Sequence, residues 1–304
     1  MLIALLGGLG AAIGLAVTAL CASSSSREIG AASTLAWVMT LGLCVLVVPL
    51  SLLGHPSQLS RHTIALLCVA GLSNVGGLLL EYTAFRRVAV GIVSAIASTE
   101  GMVAAVLSSL FGAPLATSTI VLLVVISFGV VLVAAHLDPP QDSRTDHQDA
   151  KGLRSIPARV IGRLNSSHTR SALLVVPVAV LFGITLYAMG RAGTEAPVIW
   201  VLLPARLFGT VLITSPLLAR RTLRISRRAF PLVLGGAAAE LIGLVSYTLG
   251  ARHQLAIAAV LSSQYAAITP IAAYFLFGER LRHHQLFGIV IVLASVVTLS
   301  VLQG

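Results

Sequence analysis

Apolar residues recur along the chain in ten blocks, each about as long as a membrane-crossing helix. The blocks are 2–21, 31–53, 63–85, 88–111, 116–136, 171–190, 197–218, 229–250, 254–277 and 285–302. An α-helix needs about 20 predominantly apolar residues to cross a hydrocarbon core of roughly 30 Å. The pattern therefore predicts an all-α membrane protein with ten transmembrane helices, here called spans 1 to 10. A cleaved signal peptide is the alternative for residues 2–21, but that block has no basic region before it.

A long polar stretch interrupts the apolar blocks only once, at residues 137–170. It divides the spans five and five, and it predicts a first five-helix repeat at 1–136, a linker at 137–170 and a second repeat at 171–304. Within the linker, Ile156, Val160 and Leu164 recur at helical spacing among arginines, as in an amphipathic helix lying on an anionic membrane surface. A disordered linker is an equally good interpretation.

The two halves repeat each other when they are offset by 165 residues. Tyr82 and Thr83 then fall on Tyr247 and Thr248. Spans 4 and 9 share a stripe of small or kink-forming residues that would let helices pack closely or hinge, including Ser98, Gly101, Ser263 and Pro270. Because each half has an odd number of spans, the second half would enter the membrane in the opposite sense. Such an inverted repeat is typical of alternating-access carriers.

Composition and charge agree with a membrane protein. Apolar residues make up 57% of the 304 positions and charged residues only 10%, so lipid rather than water is the main solvent. The formal charge of +10 lies in short loops, which favours membrane topology over nucleic-acid binding. The loops after odd-numbered spans carry most arginines, and the positive-inside rule predicts that they are cytoplasmic and that both termini lie outside.

Four ionisable residues fall within the spans, and such residues are candidates for function because burying a charge in lipid is costly. Glu100 and Glu240 lie near the centres of spans 4 and 8 and are predicted to bind substrate or protons; the alternative is a carboxyl group that only bonds one helix to another. Arg206 could neutralise a glutamate or hold an anionic substrate. Glu81 was expected near the surface, solvated or in a local ion pair.

Span 9 adds two polar candidates to this set. Tyr265 is the repeat-related equivalent of Glu100, and Gln264 stands beside it. Both are predicted to line a substrate site near the middle of the membrane. Motifs for enzymatic catalysis or metal binding were not found, so the chain is predicted to be no enzyme and to need no cofactor.

Span 9 and the chain after it contain Ser262 to Tyr265, Pro270, the turn Gly278-Glu279-Arg280-Leu281, and then Gln285 and Gly288, and span 4 contains Ser98-Thr99-Glu100-Gly101. On these residues nearly the whole chain apart from the linker resembles the EamA-type ten-helix carriers of the drug/metabolite transporter superfamily, the second half more strongly than the first. The first half departs from this pattern, with Ala113-Pro114 at the position of Glu279-Arg280. The resemblance implies secondary transport through a central cavity between the two halves. It also implies cytoplasmic termini, opposite to the orientation that the charges favour, so both orientations stay open.

These observations predict a transporter of the cell membrane that exports a small metabolite, amino acid or drug by alternating access, with protons as the candidate coupling ion. The lipid bilayer and a small-molecule substrate are the expected partners, and the protein would be a monomer or a homodimer. One alternative is a carrier-derived membrane scaffold that has lost transport. A polytopic enzyme acting on lipids is a further alternative, although the clusters of interfacial His, Asp or Arg that it would need are not evident.

Overall fold

The computed structural model describes residues 2–53, 59–87, 90–111, 176–265 and 267–269, together with isolated helical positions at 121, 124, 125, 128, 272, 291 and 294. Within these ranges the chain is helical and contains no strand, which confirms the all-α prediction for this part. The linker, most of spans 5 and 10, Pro270 and the Gly278 to Leu281 turn lie outside the described residues.

Ten helices and one π-helical turn have both of their ends within the described residues. Before the linker they are α1 (Leu2–Ile29), α2 (Ala31–Leu53), α3 (Arg61–Phe85), α4 (Val90–Ala97) and α5 (Glu100–Phe111). After it they are α6 (Val176–Ala192), α7 (Val198–Gly209), a π-helical turn (Thr210–Thr214), α8 (Ser215–Ala219), α9 (Ala229–Ala251) and α10 (Leu255–Ser262). Gly30 separates α1 from α2 with a φ of 92°, a conformation that glycine adopts without steric cost.

Five helical stretches are long and apolar enough to cross a membrane. They are Leu2–Ile29, Ala31–Ser51, Arg61–Phe85, Val198–Ala219 and Ala229–Ala251, which correspond to predicted spans 1, 2, 3, 7 and 8. Spans 4, 6 and 9 appear as shorter apolar helices. Because spans 5 and 10 fall largely outside the described residues, the total of ten stays a prediction.

Spans 4 and 9, expected as continuous helices, are each interrupted near the middle. The first break is the turn Ser98–Thr99 between α4 and α5, and the second is the turn Ser263–Gln264 after α10. The hydroxyl groups there bond to backbone carbonyls three residues earlier: Thr99 Oγ1 to Ile96 at 2.8 Å and Ser263 Oγ to Val260 at 2.7 Å. Such side-chain bonds compete with the helical ladder, which gives the physical reason for the breaks.

The most extensive helix contact joins α1 to α9, across the linker in sequence. Glycines spaced seven apart make it possible. A Cβ on Gly7 would lie 2.5 Å from the Ser246 carbonyl oxygen, and one on Gly14 would lie 2.6 Å from that of Ala239 and 2.8 Å from the Gly243 Cα. The two helices therefore pack backbone against backbone in antiparallel directions, as small residues permit in a membrane. This central pair places Glu240 of α9 in the protein interior.

Loops that follow odd-numbered spans meet at one end of the helices. Arg27 Nε donates to the Phe85 carbonyl at 3.0 Å, and the Arg224 N–H donates to Ser33 Oγ at 3.3 Å. These bonds bring together the chain after spans 1, 3 and 7, as the alternation of the helices requires.

Loops that follow even-numbered spans meet at the opposite end. Arg252, after α9, donates from Nε and Nη2 to the carbonyls of Gly193 and Ala196 at 2.6 and 2.8 Å. Glu195 of the same loop accepts hydrogen bonds from Ser60 and Thr63, at the start of α3. The hydrogen bond from Thr63 is the main cause of a lowered pKa for Glu195, and Ser60, His62 and Arg191 lower it further.

Candidate functional site

A cavity lies between helices from both sides of the linker. The residues that line it come from α1, α3, α5, α6, α9 and the segment after α10: Leu15, Thr18, Ala19, Asn74, Leu78, Glu81, Glu100, Phe182, Thr185, Leu186, Glu240, Leu244 and Tyr265.

Three carboxyl groups face this cavity. Glu81 comes from α3, Glu100 is the first residue of α5 and follows the helix break, and Glu240 lies in the middle of α9. Their exposed fractions are 5%, 3% and 1%. Glu81 is close enough to both Glu240 and Glu100 to interact electrostatically with each. The cavity therefore concentrates negative charge wherever these groups are ionised.

Arg206 forms an ion pair with Glu240. Its Nη1 lies 3.0 Å from Glu240 Oε1 and 3.3 Å from Met39 Sδ, and both charged side chains are about 1% exposed. Pro204 and the π-helical turn flank Arg206 on α7, and Gly42 of α2 leaves the room that the guanidinium arm occupies. From the sequence, Arg206 could neutralise a glutamate or hold an anionic substrate. In the structure it is paired with a glutamate, Glu240.

Several cavity atoms have no hydrogen-bond partner within the described part of the chain. They are Glu240 Oε2, Asn74 Oδ1 and the Tyr265 hydroxyl. Buried polar atoms are nearly always bonded in native proteins, so these atoms are available to a ligand or to water. Gln264 is buried too, but its amide donates to the Val260 carbonyl at 3.0 Å, and it is not part of the cavity wall.

The predicted packing residues lie at the contact between α5 and α10. A Cβ on Gly101 would lie 2.7 Å from Ser263 Oγ and 2.8 Å from the Ala259 carbonyl oxygen, so the two helices touch closely there. Ser98 is 2% exposed and begins the turn before Glu100. Pro270, the fourth residue of this predicted group, lies outside the described residues.

Glu81 was misjudged from the sequence, where its distance from Arg86 and Arg87 suggested a solvated position. The structure buries it in the cavity wall beside Asn74 and Leu78. Those residues are spaced by four and three positions along α3, which puts all three on one helix face. This spacing is the sequence feature that could have predicted the burial of Glu81.

Comparison with known proteins bears on the first half of the chain. Residues 2–135 match the model of the EamA-like transporter family. The match confirms the resemblance to EamA carriers for the first half of the chain, and together with the apolar helices it indicates a multi-pass membrane protein. A transporter family also agrees with the prediction that the chain is no enzyme.

Solved structures share the fold, and 22 chains match. One crystal structure, described only as that of a protein, has 14% sequence identity and a TM-score of 0.70, and the match covers 96% of this chain and 95% of the other. At this identity the likeness concerns the fold alone. No curated protein matches the chain.

Proposed function

We propose that the chain is a secondary transporter that exports a small molecule by alternating access and exchanges protons through its cavity carboxyl groups. The observation that carries this proposal is the cavity in which Glu81, Glu100 and Glu240 meet between helices from both sides of the linker. Membership of residues 2–135 in a transporter family supports it.

Charge balance favours proton exchange. Three ionised carboxylates would outnumber the guanidinium of Arg206 in a region shielded from bulk water. An uncompensated charge at membrane depth costs at least about 2.5 kcal/mol, so a proton or a cation must accompany the extra carboxylates. Binding of a substrate that changes this balance would change the number of bound protons, which is the physical basis of coupling.

Alternating access is supported by bonds that join the two halves at each end of the helices. At one end the Trp37 indole donates to the Arg224 carbonyl at 3.0 Å, and at the other Glu195 accepts from Ser60 and Thr63. We propose that one set opens while the other stays closed. The arginine-rich end would be cytoplasmic and both termini outside, in accordance with the positive-inside rule.

Transport in proteoliposomes tests this proposal. The full chain is reconstituted, and efflux of a panel of labelled amines, amino acids and neutral metabolites is measured with and without an imposed pH gradient. We expect the gradient to accelerate efflux of at least one compound, and Glu100→Gln to abolish that acceleration because the side chain can no longer exchange a proton.

Glu28→Gln is the matched control, since it removes the same charge from an exposed position at the end of α1 and keeps an amide oxygen that can accept the hydrogen bond from Ser226. Its efflux should respond to the gradient as the wild type does. Equal proton coupling in Glu100→Gln and the wild type would contradict the assigned role of Glu100, and no protein-dependent flux of any compound would contradict transport. That last result would instead favour a scaffold, for which the continuous cavity joining Glu100, Glu240 and Tyr265 gives no support.

A further inference from the structure

We infer that the cavity binds an organic ammonium ion: a compound with an N–H-bearing cationic head, an apolar body and no carboxylate. This inference deepens the proposed function by naming a substrate class for the same cavity. It rests on which charges face the cavity, which atoms there lack partners and what forms the rest of the wall.

The charged groups in the cavity wall are the carboxyl groups of Glu81, Glu100 and Glu240. Arg206 is not among the described residues that line the cavity. It stands behind Glu240, with its Nη1 held by Glu240 Oε1 at 3.0 Å and by Met39 Sδ at 3.3 Å. A ligand in the cavity therefore meets three carboxyl groups first, and a cation can replace the protons that accompany the extra carboxylates, while the guanidinium is turned toward α2. This arrangement attracts a cation and leaves an anion without a counter-charge.

Two of the three cavity-wall atoms without partners point to the same chemistry. Glu240 Oε2 and Asn74 Oδ1 can only accept hydrogen bonds, and both belong to residues of the cavity wall. A ligand with two or three N–H groups on one cationic nitrogen would satisfy both acceptors and leave a donor for another carboxylate. A charge-assisted bond of this kind is roughly twice as strong as one between neutral groups.

The remaining wall is apolar. Leu15, Leu78, Phe182, Leu186 and Leu244 form it, together with small residues. Such a wall favours a hydrocarbon or aromatic body over a polyhydroxylated one. Phe182 also brings a phenyl ring to this wall, and the face of such a ring attracts cations.

A zwitterionic amino acid fits less well than the amine that remains when its carboxylate is removed. Its ammonium group would gain the same contacts, but its carboxylate would enter beside three carboxyl groups. Like charges that are brought together in a poorly solvated site repel strongly. The structure thus predicts discrimination between two compounds that differ by one carboxylate.

Equilibrium binding to the full chain in lipid nanodiscs provides the test, with protein-free nanodiscs to correct for partitioning into lipid. The probes are 2-phenylethylammonium, L-phenylalanine and 3-phenylpropionate, which share one aromatic body. We expect the ammonium ion to bind at least about tenfold more tightly than either carboxylate compound. Equal or tighter binding of 3-phenylpropionate, or no binding of the ammonium ion, would overturn the inference.

Variants locate the binding. Glu81→Gln and Glu100→Gln should each weaken binding of 2-phenylethylammonium by about tenfold or more, while Glu28→Gln should leave it unchanged. A monodisperse elution profile and a melting temperature near that of the wild type establish that each variant is folded. Wild-type affinity in both folded cavity variants would refute the assigned site.

These experiments test the binding inference and the transporter proposal independently. If the ammonium ion binds but no compound crosses the proteoliposome membrane, the transporter proposal is wrong and the substrate-class inference stands. If other compounds are transported while the ammonium ion does not bind, the inference is wrong and the transporter proposal stands.

Discussion

Arg206 donates from Nη1 to Glu240 Oε1 across 3.0 Å, and both side chains are almost fully buried. The pair ties α7 to α9 beside the cavity. Breaking a buried ion pair by removing one partner is costly because the other charge is left unpaired, whereas replacing both partners with apolar residues often costs little.

This difference gives the first prediction. Glu240→Leu should lower the free energy of unfolding by about 3–5 kcal/mol, because Arg206 keeps its charge without a counter-ion. The double variant Arg206→Met, Glu240→Leu should recover most of that loss. Thermal unfolding in matched nanodiscs measures both, and a double variant as unstable as the single one would show that the pair does not act as a unit.

Backbone contact between α1 and α9 gives the second prediction. Gly14→Ala should destabilise the protein by about 1–3 kcal/mol, because the new Cβ would lie 2.6 Å from a carbonyl oxygen and 2.8 Å from the Gly243 Cα. The control is Gly76→Ala in α3, whose Cβ would meet Leu181 at an ordinary 3.5 Å. Since alanine favours helices, the control should be neutral or slightly stabilising. Similar destabilisation by both variants would argue against the close seam.

The loop before α7 gives a prediction about pH. Hydrogen bonds from Thr63 and Ser60 lower the pKa of Glu195 below its ordinary value of 4.5. A group whose pKa is lowered by folding stabilises the protein above its unfolded-state pKa, and this contribution is lost as the pH falls through the folded-state pKa. The melting-temperature difference between the wild type and Glu195→Gln should therefore be constant near neutral pH and shrink below about pH 4.5.

Variants of the two hydroxyl donors separate their effects. Thr63→Val should raise the pKa of Glu195 more than Ser60→Ala does, because the Thr63 hydrogen bond is the larger cause of the shift. Titration of Glu195 by carboxyl-selective NMR labelling measures this order. The reverse order would contradict the geometry at the start of α3.

Arg252 gives a fourth prediction. Its guanidinium bonds two carbonyls of the 193–196 loop at once, from Nε and Nη2. Lysine keeps the charge but lacks the planar fork that makes such two-point contacts. Arg252→Lys should therefore cost about 1 kcal/mol and increase hydrogen exchange in this loop. Unchanged exchange at residues 193–196 would show that the loop is held by other contacts.

Hydrophobic patterning predicted the long helices because the length of an apolar block is a direct physical requirement of the bilayer. It could not predict the breaks in spans 4 and 9, since they depend on hydroxyl groups that bond to nearby carbonyls within stretches that are otherwise apolar. The repeat relationship holds at these breaks: Thr99 N–H bonds the Ile96 carbonyl, and Gln264 N–H bonds that of Leu261.

Site residues were harder to predict than helices. Glu100 and Glu240 were found because a carboxyl group is conspicuous in an apolar block, but Glu81 was placed at the surface because only its distance along the chain from Arg86 and Arg87 was considered. The pairing of Arg206 with Glu240 depends on how α7 and α9 pack, and no local pattern contains that information.

The repeat-related tyrosines have also diverged in their surroundings. Tyr247 donates to the Leu186 carbonyl at 2.6 Å, whereas the hydroxyl of Tyr82 has no partner within the described part of the chain. Residues at repeat-related positions therefore have different environments, because the residues around them have changed independently in the two halves.

The glycine seam between α1 and α9 constrains how the cavity could open. At Gly7 and Gly14 the seam brings the backbones of α1 and α9 together, with no side chain between them whose rotamer could change to accommodate separation. Separating the two helices would expose backbone groups and break the close contacts along the seam. The seam therefore favours motions in which the distance between α1 and α9 stays fixed while the other helices rotate around this pair.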